Sequence, residues 1–310
     1  MSFVCGEGDA AARLEEIRFD PRFRVRPGPP GRAAGQKAPE GGARPGPRMP
    51  GTPRELGAPG WGRGAGAAPP LVLLNYRLPP YTAALWERSG LKVCADGGAN
   101  RLFDQLPALV PGRGGGDRDL RLAYLPDVIV GDLDSLRDEV RAFYAGARVK
   151  IVDLGADQDS TDMTKAIRYV QREAPGAAAL NVVGVFGGRF DHELAALNTL
   201  CTFRDLHIVL LGEHSLAFLV PAGPAVLHVE AWQGPACGLV PIAGAAVTTT
   251  KGLRWDMDRL EMAFGGLVST SNVADAARVE VEGSRDLVWT IEVQAERFRE
   301  SLQGSVHGPA

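Results

Sequence analysis

Four short polar clusters, each directly behind an apolar run, constrain this chain more than any other feature. They are Asp96-Gly97-Gly98-Ala99-Asn100, Gly131-Asp132-Leu133-Asp134-Ser135, Asp157-Gln158-Asp159-Ser160-Thr161-Asp162 and Gly187-Gly188-Arg189-Phe190-Asp191-His192. In an open α/β sheet the loops at the carboxyl ends of the strands converge on one crevice. Carboxylates gathered there repel one another unless a cation joins them, and Mg2+ carrying a polyphosphate is the usual resident.

The intervals between the clusters fit such a sheet. Residues 71–74, 91–95, 128–130, 149–152, 181–185 and 206–211 read as strands. Residues 81–88, 99–105, 137–144, 160–172 and 192–202 read as helices, the fourth with Ser160 as its N-cap. This alternation predicts an α/β domain over 70–212 with a doubly wound, mainly parallel sheet. Past Gly212 short β-rich runs recur between Gly and Pro turns, which predicts a compact all-β domain over 213–293, sandwich- or barrel-like. Residues 1–69 are dominated by Gly, Pro, Ala and Arg over much of their length and cannot bury enough apolar surface to offset ordering. They read as a disordered extension, and 294–310 as a flexible tail.

Charge and cysteine usage narrow the function. The formal net charge is −3, divided as +4 over residues 1–70 and −7 over the remainder. An acidic body argues against nucleic acid as the main partner. The four cysteines, Cys5, Cys94, Cys201 and Cys237, form no CxxC pair, as expected of a reducing compartment rather than a disulfide scaffold or zinc site. No apolar run reaches membrane-span length, so no membrane partner is expected. Early acids, Glu7, Asp9, Glu15 and Glu16, do not suit a secretory signal, and the Arg-rich stretch after them only weakly resembles a transit peptide. The expectation is a cytoplasmic enzyme.

Within the clusters, Asp132 and Asp134 stand two apart, so in extended backbone both carboxylates face one side and one metal. An isolated Asp-x-Asp also occurs in solvated loops; here it follows a strand and precedes a helix start. Asp159 and Asp162 flank a predicted helix N-terminus. Simple capping accounts for either residue, and the alternative turns Asp162 toward metal while Gln158 meets nucleotide. Gly97-Gly98 and Gly187-Gly188 allow close backbone approach to a ligand. Arg189 suits phosphate, or a salt bridge to Asp191. No P-loop GxxxxGK[ST] and no GxGxxG follows a strand. Trp255 lies among charged and glycine neighbours, Lys251-Gly252-Leu253-Arg254-Trp255-Asp256, where a stacking platform for a flat or cationic ring competes with an ordinary core role. Ser269-Thr270-Ser271-Asn272 reads as a polar edge strand or a ligand contact.

In this order the motifs resemble the thiamin pyrophosphokinase (thiamin diphosphokinase) family, in its animal form, over roughly residues 71–291. The residues that carry the resemblance are Cys94 through Arg101, Gly131 through Ser135, Asp157 through Asp162, Gly188 through Asp191, Val247 through Trp255 and Phe264 through Asn272. The resemblance implies Mg2+-dependent transfer of a pyrophosphoryl group from ATP to the thiamin hydroxyl, giving thiamin diphosphate and AMP, in a homodimer with sites between subunits. It also implies that the all-β domain behind the α/β domain is a sandwich. It assigns Asp132, Asp134 and Asp162 to Mg2+, with Asp96 holding the metal-bound nucleotide or orienting the nucleophile. It gives Gln158, Arg189, Asp191 and Asn198 to ATP, and Trp255, Ser269, Ser271 and Asn272 to thiamin. The extended N-terminus, the tail from Gln294, the Gly-Arg-rich loop at 111–119 and His192 depart from the animal pattern without removing a proposed ligand. A catalytically inactive thiamin- or nucleotide-binding protein is the alternative. A different Asp-x-Asp transferase or phosphatase is the third reading, and it leaves Trp255 and Ser269–Asn272 without a role.

Overall fold

The structure, a computed structural model, describes residues 52–57, 68–110 and 119–304. The chain runs β1 (Arg54–Gly57), β2 (Leu71–Leu73), α1 (Thr82–Glu87), β3 (Lys92–Ala95), α2 (Gly98–Leu109), a 3-10 turn (Leu120–Ala123), β4 (Val128–Gly131), α3 (Asp138–Gly146), β5 (Lys150–Asp153), α4 (Asp162–Glu173), β6 (Ala179–Val183), α5 (Phe190–Thr202) and β7 (His207–Leu211). It continues through β8 (Ser215–Val220), β9 (Gly223–His228), β10 (Gln233–Val240), β11 (Ala246–Lys251), β12 (Leu260–Met262), β13 (Ser269–Val273), β14 (Arg278–Gly283), β15 (Leu287–Val293) and α6 (Ala295–Gly304).

Strands β2 to β7 pair in parallel in the order β7-β6-β2-β3-β4-β5. The winding reverses between β2 and β6, so the switch point, and with it the crevice outside the strand ends, lies there. Both faces are covered, as a parallel sheet requires. Leu71 and Leu73 of β2 enter the core that holds α1, α2 and α3 residues, whereas Val72 enters the core formed with α4 and α5.

The break at Gly212 is softer than the sequence suggests. A hairpin there turns β8 back antiparallel on β7, and β8, β15, β10 and β13 extend the parallel sheet to ten strands. A second sheet, β1-β9-β14-β11-β12, makes the other layer of the β-rich half. Trp289 and Phe218 from the long sheet and Val279 and Leu227 from the short one share a single hydrophobic cluster with Leu85 and Leu102 of the α/β half.

Three expectations are corrected. Residues 54–57, read as part of a disordered extension, form β1, which pairs in parallel with β9 and packs Leu56 against the core. A backbone strand needs little apolar surface of its own when a sheet edge supplies the hydrogen bonds. Apart from residues 52–53 and 68–69, the rest of that extension lies outside the described residues, as does most of the 111–119 loop. Residues 295–304, read as flexible, form α6, because Phe298 stacks on Trp232 at 3.8 Å between centroids and meets Tyr81 edge-on at 4.6 Å. The N-cap of α4 is Thr161, whose extended backbone lets its side chain accept from Thr164 N, while Ser160 Oγ accepts from Arg168.

Candidate active site

The crevice at the switch point has a volume of about 560 Å³ and is walled by Asn75 and Tyr76 after β2, Asp96 after β3, Ser135 after β4, Asp162 at the start of α4, and Gly188, Arg189 and His192 after β6. Every one of these loops leaves the carboxyl end of a parallel strand, which brings residues distant in sequence to one place.

Three carboxylates meet there, Asp96 and Asp162 lining the crevice and Asp132 grouped with them. Ligand oxygens of Asp96, Asp132 and Asp162 all lie within 4.8 Å of one another. Asp96 adopts a left-handed backbone, φ 43°, and so does Leu133, φ 64°; such conformations cost about 1–2 kcal/mol for a side-chain-bearing residue and cluster at functional sites. Asp96 Oδ2 accepts from Ser135 N at 3.1 Å, but Asp96 Oδ1, buried, has no hydrogen-bond partner, and Asp162 Oδ1 accepts no hydrogen bond either, its nearest cation being Lys165 Nζ at 3.6 Å. Buried acceptors in that state are what a divalent cation satisfies.

The electrostatics split the three. Burial raises the Asp96 carboxyl pKa above the ordinary carboxylate value, against hydrogen bonds from Gly97 and Ser135. Burial also raises Asp162, helped by the charges of Asp132 and Asp96. Asp132 moves the other way, because Lys165 Nζ donates to its Oδ2 at 2.7 Å. Sequence reasoning missed Lys165. Its signal was available: a lysine one turn after Asp162, on the face of α4 that carries Met163, Ala166 and Ile167, falls where only apolar residues are expected.

Other expected site residues divide. Asp134 is exposed, accepts from Ser135 Oγ at 3.0 Å, and stands outside the close group of three. Arg189 lines the crevice and is paired with Asp191, the salt bridge weighed from sequence. Gln158 is exposed and spends its amide on Gly155 O at 2.7 Å, and Asn198 is exposed two turns along α5; neither lines the crevice. The glycine pairs admit close approach, but from within the chain. A Cβ on Gly98 would lie 2.2 Å from Leu73 O, and Gly187 and Gly188 pack against the Tyr76 ring. Asn75 and Tyr76, absent from the sequence reading, carry no motif; only the strand order puts Asn75 against Gly97 and Tyr76 against Gly187 and Gly188.

The thiamin group assigned from the resemblance lies elsewhere. Trp255 is 58% exposed, and Asn272 holds its loop, with Oδ1 accepting from Trp255 N at 3.2 Å and Nδ2 donating to Trp255 O at 3.0 Å. Ser269 and Ser271 sit on β13, the outer strand of the ten-stranded sheet. Six strand spacings separate β13 from β2, about 29 Å along the sheet at about 4.8 Å each.

A doubly wound α/β half with a carboxylate-floored crevice at its switch point, continuous with a β-sandwich, defines the class of open-sheet proteins that bind ligands beyond the strand ends. Comparison with known proteins narrows it. Family models match for the thiamin pyrophosphokinase catalytic domain over residues 82–210 and for the thiamin pyrophosphokinase vitamin B1 binding domain over residues 225–288. A thiamine pyrophosphokinase from rice is 44% identical over 238 residues, covering 74% of this chain and 89% of its own length. One from Arabidopsis thaliana is 44% identical over 232 residues, covering 72% and 86%. The crystal structure of yeast thiamin pyrophosphokinase shares the fold, with a TM-score of 0.69 at 24% identity over 80% of this chain and 93% of that one. The chain belongs to the thiamin pyrophosphokinase family.

Proposed function

We propose that this chain transfers a pyrophosphoryl group from ATP to the hydroxyethyl oxygen of thiamin, releasing AMP and thiamin diphosphate. The observation that carries the reading is the partly buried, partly unpartnered carboxylate group at the switch-point crevice, on a chain matched by both family models. Asp96, Asp132 and Asp162 would hold Mg2+, with exposed Asp134 at the rim beside them. When bound, the cation supplies charge neutralisation to the phosphates, the main requirement of phosphoryl transfer. Arg189 orients phosphate after exchanging Asp191 for the ligand, and Tyr76, Ala195 and Ala196 give an apolar wall for the base. Trp255 stacks on the thiamin rings, and Asn272 sets the angle of that loop rather than contacting thiamin directly.

The separation of β13 from β2 supports a homodimer in which the sandwich of one subunit faces the crevice of its partner. Exposed Phe190 and Leu194 beside the crevice, and exposed Phe264 and Leu267 in the turn before β13, supply apolar surface for such a contact. The test is product formation from ATP, Mg2+ and thiamin by the full chain. Stoichiometric AMP and thiamin diphosphate are expected. Thiamin binding without product would instead support the inactive binding protein.

A further inference from the structure

Lys165 is the single buried lysine or arginine among the described residues. Burying an ammonium costs several kcal/mol unless it is paired, and nothing in the helix needs one at this position. Its Nζ lies 2.7 Å from Asp132 Oδ2 and 3.6 Å from Asp162 Oδ1. It therefore engages two of the three clustered carboxylates and leaves Asp96 Oδ1, on a residue only 2% exposed, unpartnered. Three carboxylates and one ammonium leave a formal charge of −2, the complement of one divalent cation. We infer that Lys165 is a resident counter-cation: it holds the carboxylates together before a cation arrives and sets their charge to accept a single one. Lys165 is thus a positioning residue acting through Asp132 and Asp162. The inference rests on the cation-site reading above.

The test uses the full chain and Mn2+ as the probe, comparing wild type with Lys165→Met, which keeps the volume, and Lys165→Arg, which keeps the charge. Thermal unfolding without and with Mn2+ gives the stabilisation increment, and the paramagnetic resonance of free Mn2+ gives affinity and stoichiometry. Lys165→Met should melt lower without metal, gain more from Mn2+ than wild type does, and bind it about tenfold or more tightly, since a nearby positive charge is gone. Lys165→Arg should behave as wild type. A wild type stabilised by Mn2+ alongside a Lys165→Met variant that gains no more, or binds more weakly, overturns the counter-cation role alone. No Mn2+ response in any variant overturns the cation site as well. Should Lys165→Met fail to fold, Asp132→Asn/Lys165→Met removes both charges and should fold; failure there makes Lys165 a packing residue and overturns the inference.

Discussion

Gly131 ends β4 where the three carboxylates converge, and its missing side chain is what lets them converge. A Cβ there would lie 2.7 Å from Asp96 Cβ and 3.0 Å from Asp162 Oδ1. Neither neighbour yields easily, since Asp96 is buried in a left-handed turn and Asp162 opens α4. Gly131→Ala is expected to destabilise the chain by about 1–3 kcal/mol in urea unfolding, the usual cost of overpacking, and to weaken cation binding. A variant as stable as wild type would show that the floor can open without cost. Residue chemistry alone marked Asp96, Asp132 and Asp162 as candidates, because carboxylates behind strands are legible. It did not separate Asp134 from the group, because a left-handed Leu133 between Asp132 and Asp134 breaks the extended geometry that would aim both carboxylates the same way.

At the scale of elements, β1 and α6 show how packing overrides composition. His207 at the start of β7 holds β1 in place, its Nε2 donating to Gly57 O at 2.6 Å, and His228 Nε2 lies 2.6 Å from Glu55. Burial lowers the His207 pKa below 6.5, with the Gly57 bond opposing in smaller measure. The folded state therefore favours neutral His207, and between its lowered value and 6.5 the unfolded chain binds more protons. Stability is fully present above 6.5 and falls as the pH drops through that window. His207→Gln keeps an amide donor but cannot titrate, so urea midpoints for this variant should lose part of the acid sensitivity seen in wild type. Equal pH profiles would exclude His207 as its source. In α6, Phe298 is fully buried between Trp232 and Tyr81. Phe298→Ala should cost about 3–5 kcal/mol in chemical unfolding, and a loss well under that would mean the helix is only loosely docked. Periodicity revealed the strands and helices of the sheet core because each repeats an apolar pattern; β1 and α6 each rest on too few apolar residues, Leu56 in one and Phe298 and Leu302 in the other, to stand out.

For the whole molecule, the ten-stranded sheet fixes the distance between the crevice and the Trp255 loop. The crevice opens between β2 and β6, and the Trp255 loop is held against β13 at the far edge. Complementation tests whether a partner subunit closes that gap. In the proposed reading Asp132→Asn removes the cation half and Trp255→Ala the thiamin half, so each variant alone should be nearly inactive at low thiamin. Mixed and allowed to exchange subunits, they should recover about a quarter of wild-type sites, because half of randomly paired dimers are mixed and each mixed dimer has one intact site. No recovery after demonstrated exchange would place both halves within one chain.

The sequence by itself determined which residues carry charge, where strands and helices alternate, and that carboxylates follow strands in a sheet whose loops converge. Those properties are local or periodic, written in neighbours along the chain. Tertiary structure alone decided that Lys165 neutralises Asp132, that Asn75 faces Gly97 and Tyr76 faces Gly188, that Asn272 clips the Trp255 loop, and that the sandwich is an extension of the parallel sheet. Each of these depends on strand order and register, which join residues tens of positions apart and leave no trace in spacing along the chain.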